Sequence, residues 1–232
     1  MEPKVEYVRG LFTRIAGRYD VLNRALTFGV DVSWRRRALG MLEAPSRVLD
    51  LATGTADLAI GVARRFSSVQ VTGVDLTPAM LELGRGKVES AGLADRVELA
   101  EGNALALSFP DESFDVVTCA FGFRNFPNHG TALRECSRVL KPGGTLLVLE
   151  LFRMESRFWA RMTSTWLGLV SPLLAGRTRA DYVYLRKSIE RTTSAAEFIA
   201  LAEQHGLTTE RKAFFLPSCH CLKLRKYGKL AI

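Results

Sequence analysis

The sequence predicts an α/β protein built on a doubly wound, mostly parallel sheet. From residue 47 to residue 152, short apolar runs alternate with segments of helical periodicity. The run at 145–151 is nearly all apolar, as in a strand whose two faces are both covered by helices. Hydrophobic residues make up 47% and charged residues 24% of the 232 residues, which excludes disordered and collagen-like chains. Strands separated by helices imply a parallel sheet with right-handed crossovers.

Residues 1–46 are predicted to form an N-terminal helical cap. One helix face is marked by apolar residues in i, i+3, i+4, i+7 spacing, namely Val8, Leu11, Phe12 and Ile15. A break is expected near Thr27, Phe28 and Gly29, followed by a second helix that carries Trp34.

The core, residues 47–152, contains five predicted strands separated by helices. Their expected ranges are 48–52, 69–75, 97–99, 114–120 and 145–151. Thr77 and Pro78 should begin a helix, with proline in its first turn. A helix over 131–140 should stop at the Lys-Pro-Gly-Gly sequence that precedes the fifth strand.

Residues 153–232 are expected to hold a helical insertion and a C-terminal segment on the substrate side. The insertion begins with an apolar helical region up to residue 176, followed by a polar stretch near Tyr182 and Tyr184. A helix over 194–205 should end at Gly206, with strand-like segments at 207–215 and 219–224. The three regions are interpreted as parts of one domain.

Charge and cysteine content limit the classes of partner and compartment. The net charge is +8, with an acidic middle and basic flanks. A basic surface attracts nucleic acid, anionic lipid or acidic small molecules, and an ordinary solvated surface explains it equally well. Because no motif combines basic and aromatic residues for RNA, no nucleic-acid partner is predicted. Four cysteines and an opening without a signal peptide favour a reduced, cytoplasmic protein.

A turn of small residues after the first strand predicts a ligand site. Gly54 lies between that strand and the next helix, where backbone N–H groups can approach a ligand closely. Asp75 ends the second strand, where a carboxylate can accept hydrogen bonds from both ribose hydroxyls of a nucleoside. A tight structural turn, with Asp57 near the helix N-terminus, is the alternative.

The acidic residues of this region favour a cationic nucleoside over a dinucleotide. Asp50 and Asp75 would repel a pyrophosphate, whereas S-adenosylmethionine carries a sulfonium and an ammonium group. These acids therefore favour methyl transfer over hydride transfer. Asn103, which closes the third strand, can offer an amide to an adenine edge.

Several longer motifs make the interpretation more specific. The two most specific are Arg18-Tyr19-Asp20-Val21-Leu22-Asn23 and Phe121-Gly122-Phe123-Arg124-Asn125. The others include Asp50-Leu51-Ala52-Thr53-Gly54-Thr55, Gly73-Val74-Asp75, Gly102-Asn103-Ala104 and Lys141-Pro142-Gly143-Gly144. Over roughly residues 5–206 the chain resembles the ubiquinone/menaquinone biosynthesis C-methyltransferases, a family of class I S-adenosylmethionine-dependent enzymes.

The resemblance implies a seven-stranded class I methyltransferase sheet and S-adenosylmethionine as the methyl donor, with no metal. It implies that Thr55, Asp75, Asn103 and Ala104 contact this cofactor, beside Asp50 and Gly54 of the glycine turn. The expected substrate is a lipophilic quinol, demethylmenaquinol first and the ubiquinone-pathway benzoquinol next.

Ring methylation needs an electron-rich carbon, which deprotonation of the neighbouring hydroxyl supplies, so a base or water relay is required. Arg124 would favour the hydroxyl's anion or orient a water, and Asn125 would position the ring oxygen. A salt bridge to a core carboxylate is the alternative role for Arg124. Tyr19, on the cap, would help to exclude water from the site, or pack at a helix seam.

Three departures from the family pattern carry expectations. Ala56 stands where the family usually has glycine, so its Cβ could crowd the cofactor, or cost binding where φ is positive. Ala120 stands where some members have serine, so one polar contact with the cofactor would be missing. Residues 216–230 are not expected to form the family's closing strand. The alternatives are therefore another lipophilic acceptor, or a non-catalytic cofactor-binding scaffold in a quinone-biosynthesis complex.

Two further segments have competing interpretations. The uncharged stretch 162–176 is shorter than the about 20 residues that span a bilayer, so it is not predicted to be a transmembrane helix. It is interpreted as a core-packing helix or, alternatively, as a wall of an isoprenoid channel or a contact with a membrane surface. Peripheral contact of the protein with the inner face of the membrane and formation of a homodimer are two further alternatives. Cys219 and Cys221 would share one strand face while His220 points away, which argues against a metal site.

Overall fold

The computed structural model describes residues 3–156, 188–216 and 218–227, together with residues 158, 161, 162 and 165. Most of the predicted helical insertion, including nearly all of 162–176 and both Tyr182 and Tyr184, lies outside the described residues. In the part of the chain that is described, no helix combines the length and apolar character that a bilayer crossing requires.

The N-terminal cap is helical, as predicted. It consists of α1 (Pro3–Ile15), a 3-10 turn (Ala16–Arg18), α2 (Tyr19–Thr27) and α3 (Val30–Leu39). The break between α2 and α3 falls at Phe28 and Gly29, whose φ angles of 51° and 75° are both left-handed. Because a left-handed residue ends a helix, these two residues turn α3 away from the direction of α2.

The remaining elements alternate strands and helices. The strands are β1 (Arg47–Leu51), β2 (Gln70–Asp75), β3 (Val97–Glu101), β4 (Phe114–Ala120), β5 (Leu140–Leu151), β6 (Leu207–Phe214) and β7 (Cys219–Lys226). The helices are α4 (Asp57–Arg65), α5 (Pro78–Ser90), α6 (His129–Val139) and α7 (Ala195–Glu203), with a 3-10 turn at Phe123–Asn125. Ser194 caps α7 in a capping box with Glu197, where sequence predicted the helix to begin.

The sheet has seven strands in the order β3-β2-β1-β4-β5-β7-β6. Strands β1 to β5 are parallel, and β7 runs antiparallel to both of its neighbours, β5 and β6. The predicted doubly wound, mostly parallel seven-stranded sheet is confirmed.

The expectation that the closing strand is missing is wrong. β7 pairs with β5 from Leu151, opposite Cys219, to Thr145, opposite Arg225. A strand-like segment was expected at 219–224, and Lys223, which interrupts its apolar alternation, does not prevent it from pairing inside the sheet. The side chain of Lys223 is only 8% exposed, and its Nζ lies 3.2 Å from Oε2 of Glu210 on β6, so pairing compensates its charge.

Apolar side chains cover both faces of the sheet. On β1, Val48 packs into a cluster with α3, α4 and α5, whereas Leu49 packs into a second cluster with α6 and α7. β7 divides in the same way, because Cys221 joins the first cluster and Leu222 the second. Helices on both faces therefore leave the strand ends as the place where a ligand can enter.

Candidate active site

A cleft with about 790 Å³ of empty space, part of it open solvent, lies at the carboxyl ends of the first four strands. The strand ends contribute residues that include Ala52, Gly54, Asp75, Gly102, Asn103, Ala104 and Ala120. The cap contributes Val5, Val8, Arg9, Phe12 and Tyr19 from the other side. The cleft is therefore enclosed between the sheet edge and the cap.

Asp75 joins the glycine turn to the end of β2. Its Oδ2 accepts the backbone N–H of Gly54 at 2.9 Å, and its Oδ1 accepts that of Thr77 at 2.9 Å. Burial raises the pKa of Asp75, although these backbone N–H groups act in the opposite direction. Asp75 lines the cleft, and a carboxylate has about four acceptor positions, so it can present an oxygen to a hydroxyl group of a ligand.

Asp50 lies behind the turn. Its side chain is buried, its Oδ2 accepts from the hydroxyl of Thr53 at 2.7 Å, and its Oδ1 accepts from that of Thr118 at 2.6 Å. Burial raises the pKa of Asp50 to about 6, against the effect of both hydroxyl groups. Asp50 lines a smaller neighbouring cavity and not the main cleft, so its contacts hold the turn.

Thr55 also faces away from the main cleft. Its side chain lies beside the smaller cavity, and its hydroxyl donates to Oδ1 of Asp20 at 2.7 Å. The same hydroxyl oxygen accepts from Nζ of Lys87 at 3.1 Å. The hydroxyl of Thr55 is therefore engaged by the cap and by α5.

Asn103 and Ala104 lie in the main cleft, where the sequence predicted a cofactor contact. Oδ1 of Asn103 accepts the backbone N–H of Leu105 at 3.0 Å, which fixes the side chain beside the end of β3. The Nδ2 group of Asn103 takes no part in this bond and can act as a donor.

The cap is fastened over the cleft by polar contacts of α1 and by aromatic packing. Nζ of Lys4 donates to the carbonyl of Phe126 at 2.9 Å, and Arg9 lies 3.4 Å from Glu101 in an ion pair. Tyr19 packs edge-to-face against Phe12, with ring centroids 5.8 Å apart. Both rings line the cleft, so Tyr19 lies on the cap beside the site, as predicted from the sequence.

Asn125 and Arg124 occupy different sides of the 3-10 turn after β4. Asn125 lines the main cleft, whereas Arg124 lines a separate cavity. Nη1 of Arg124 donates to Oε1 of Glu150 at 2.7 Å and to the carbonyl of Phe121 at 2.7 Å. The guanidinium thus forms the salt bridge that was the alternative interpretation. Its predicted role, to favour the hydroxyl's anion or to orient a water, stays a prediction.

The φ angle of Ala56 is positive, 65°, which is the backbone conformation that was expected to cost cofactor binding. Its Cβ is fully buried in the cluster of α3, α4 and α5, so it points away from the cleft. Ala120 does line the cleft, where a longer polar side chain would have been in reach of a ligand.

Two groups of residues at or beside the cleft were not predicted from the sequence. Val5, Val8 and Phe12 line the cleft, and the helical periodicity of α1 was the signal that could have indicated them. The contact of Lys87 with Thr55 could not be predicted from the sequence, because a lysine in the last turns of a helix is usually exposed to solvent. Among the described residues, no three histidine, cysteine, aspartate or glutamate side chains are grouped so that they could hold a metal ion.

The donor set of the cleft fits a cationic nucleoside. A carboxylate, an amide and the backbone of a glycine turn lie at one end, and apolar and aromatic side chains lie at the other. The sheet order and this cleft at its carboxyl edge define a class I methyltransferase fold.

Solved structures share the fold. A SAM-dependent methyltransferase from Thermotoga maritima superposes with a TM-score of 0.65 and 20% identity, covering 94% of this chain and 98% of that one. A SAM-dependent methyltransferase from Aquifex aeolicus has a TM-score of 0.62 and 18% identity, covering 83% and 89%.

Sequence relatives define the family. The model of the ubiE/COQ5 methyltransferase family matches residues 1–215, and the chain belongs to that family. A Thermus thermophilus relative named demethylmenaquinone methyltransferase is 46% identical over 185 residues, which is 78% of this chain and 83% of the relative. A Geobacter sulfurreducens relative named ubiquinone/menaquinone biosynthesis C-methyltransferase UbiE is 42% identical over 208 residues, 88% of this chain and 81% of the relative.

Proposed function

We propose that this chain transfers a methyl group from S-adenosylmethionine to a ring carbon of a reduced polyprenyl quinone precursor, with demethylmenaquinol as the first candidate. The observation that carries the proposal is the composition of the cleft, which joins an acidic nucleoside-binding end to an apolar, aromatic end. The names of the relatives from Thermus thermophilus and Geobacter sulfurreducens support the choice of a quinone substrate.

At the acidic end, Asp75 accepts hydrogen bonds from a ribose, and the Nδ2 group of Asn103 donates to the adenine edge. When bound, S-adenosylmethionine supplies an electrophilic methyl group on a cationic sulfur. The carboxylate of Asp75 also favours this positive charge because the cleft is partly shielded from water.

At the apolar end, Val8, Phe12 and Phe121 hold the quinol ring and the start of its isoprenoid chain. Loss of the ring hydroxyl's proton to water makes the neighbouring carbon electron-rich. The amide of Asn125 donates to the resulting oxygen anion and keeps that carbon facing the methyl group. Tyr19 covers the reacting groups and excludes water from them.

Arg124 acts on this arrangement from outside the cleft. It bonds to Glu150 and to the carbonyl of Phe121, and its backbone N–H donates to Oε2 of Glu150 at 3.1 Å. These bonds fix the 3-10 turn that presents Asn125. We therefore assign Arg124 a positioning role in place of direct charge stabilisation.

The test is the transfer of labelled methyl from S-adenosylmethionine to a short-chain demethylmenaquinol kept reduced with dithionite. Label should enter the quinol. It should not enter the oxidised quinone supplied in its place, because the ring of the quinone is electron-poor. A parallel reaction with the ubiquinone-pathway benzoquinol compares the two acceptors. Cofactor binding without label in either quinol would contradict the proposal and favour another lipophilic acceptor or the scaffold role.

A further inference from the structure

Lys87 on α5 joins three elements that meet beside the glycine turn. Its Nζ lies 2.7 Å from Oδ2 of Asp20 on α2, 3.1 Å from the hydroxyl oxygen of Thr55 in the turn, and 2.5 Å from Oδ1 of Asp57 at the start of α4. One ammonium group has three donors, and these three oxygens use all of them.

The charge balance at this point depends on Lys87. Asp20 and Asp57 both face it, and Arg24 adds a contact to Asp57 at 3.1 Å. Burial raises the pKa of Asp57, but the hydrogen bond and charge of Lys87, together with the charges of Arg35 and Arg24, outweigh it and hold the pKa below its usual value. Removing the ammonium would take away the cation that pairs with Asp20, whereas Asp57 would keep Arg24 and, at 4.0 Å, Arg35.

The contacts of Lys87 reach the cleft through the next residue of the cap. Tyr19 precedes Asp20 and lines the cleft, and its Cε1 lies 3.9 Å from the position that a Cβ on Gly54 would take. Asp20 is held by both Thr55 and Lys87. The Tyr19 ring is therefore held beside Gly54 through the contacts of Asp20 with Thr55 and Lys87, which do not line the main cleft.

We propose that Lys87 is a positioning residue for cofactor binding, which clasps α2 to the glycine turn through Asp20 and Thr55 and so holds Tyr19 over the cleft. The inference rests on the proposed function, because it takes the ligand of the cleft to be S-adenosylmethionine. In this arrangement Thr55 acts through the clasp, and not as a direct ligand of the cofactor. Opening the clasp lifts the cap and lets the ligand leave faster.

The test compares Lys87→Met with Lys141→Met. Lys141 offers a matched control because it is also a half-exposed lysine, paired with Asp115 at 2.6 Å, and Asp115 lies at the start of β4, at the opposite end of the sheet. Lys87→Arg tests whether a different cation restores the clasp, and Asp20→Asn removes one charge of the clasp with little change of shape. Affinity for S-adenosylmethionine is measured by calorimetry, and hydrogen exchange is measured in α2.

We expect the dissociation constant of S-adenosylmethionine to rise about tenfold in Lys87→Met, a typical size for coupling between two parts of a protein. The increase should come mainly from faster dissociation, and amides of α2 should exchange faster. Asp20→Asn should weaken binding in the same direction. Lys87→Arg should recover most of the affinity, and Lys141→Met should stay within about twofold of the wild type.

Affinity of Lys87→Met within about twofold of the wild type would overturn the proposal. The proposal would also be overturned if Lys87→Arg lost as much affinity as Lys87→Met and the unfolding midpoint of both variants fell to match. The loss of affinity would then reflect damage to the fold. The readouts are binding and exchange, so they remain decisive for Lys87 even where no quinol is methylated and the proposed acceptor is wrong.

Discussion

Arg124 and Glu150 form a buried ion pair beside the cleft, with side chains that are 7% and 1% exposed. Glu150 also accepts the backbone N–H groups of Arg124 and Leu151. The pair thus connects the end of β5 to the 3-10 turn that carries Asn125. A substitution at Arg124 changes both the fold and the site, so its effects on stability and turnover must be measured together.

Arg124→Met should lower the free energy of unfolding by about 3–5 kcal/mol, because it leaves the carboxylate of Glu150 buried without its cation. The double variant Arg124→Met, Glu150→Gln should recover at least half of this loss, since glutamine is neutral and can still accept a backbone N–H. Urea unfolding measures both. Arg153→Met, which removes an exposed pair with Glu197, should leave the urea midpoint close to that of the wild type. An equally small effect of Arg124→Met would show that the pair contributes little.

Asp75→Asn should weaken S-adenosylmethionine binding by about 10–100-fold, because hydrogen bonds to a charged group contribute about 1.5–3 kcal/mol. Calorimetry measures the affinity. Asp115→Asn is the matched control, since Asp115 also accepts two backbone N–H groups, those of Ser46 and Arg47, but it lies away from the cleft. If both variants bind alike, Asp75 has no role in holding the cofactor.

Asp50 should make the protein less stable as the pH rises from about 4 to about 6. Burial raises its folded-state pKa to about 6, above its value in the unfolded chain, so the folded state binds more protons in this window. The lost stability from this one group is about 3 kcal/mol, at about 1.4 kcal/mol for each pKa unit. Urea unfolding at several pH values should show the decline in the wild type and a smaller one in Asp50→Asn. Parallel pH profiles for the two proteins would refute this assignment.

Ala56→Gly should leave cofactor affinity within about twofold of the wild type, because the Cβ of Ala56 points into the core. Its stability should change by no more than about 1 kcal/mol, since relief of a left-handed alanine offsets the loss of one buried methyl group. Calorimetry and urea unfolding test both statements. A clear gain in affinity would show that the methyl group obstructs the cofactor after all.

The sequence predicted the sheet better than it predicted the contacts. β4 has the predicted bounds, Phe114–Ala120, because an apolar run with covered faces leaves little choice of structure. β7 was not recognised as the closing strand, since Lys223 is compensated by a carboxylate on another strand. The same limit applies to Arg124, whose partner Glu150 comes from a different element. Such pairings depend on the fold itself, and no spacing along the chain indicates them.

The position of β7 between β5 and β6 has a consequence for synthesis of the chain. β5 ends at Leu151, whereas β7 begins at Cys219, so the ribosome releases β5 well before the strand that covers one of its edges. Until then, an apolar strand has unpaired N–H and C=O groups along that edge. Nascent chains are therefore most exposed to association with one another after β5 has emerged and before β7 has followed.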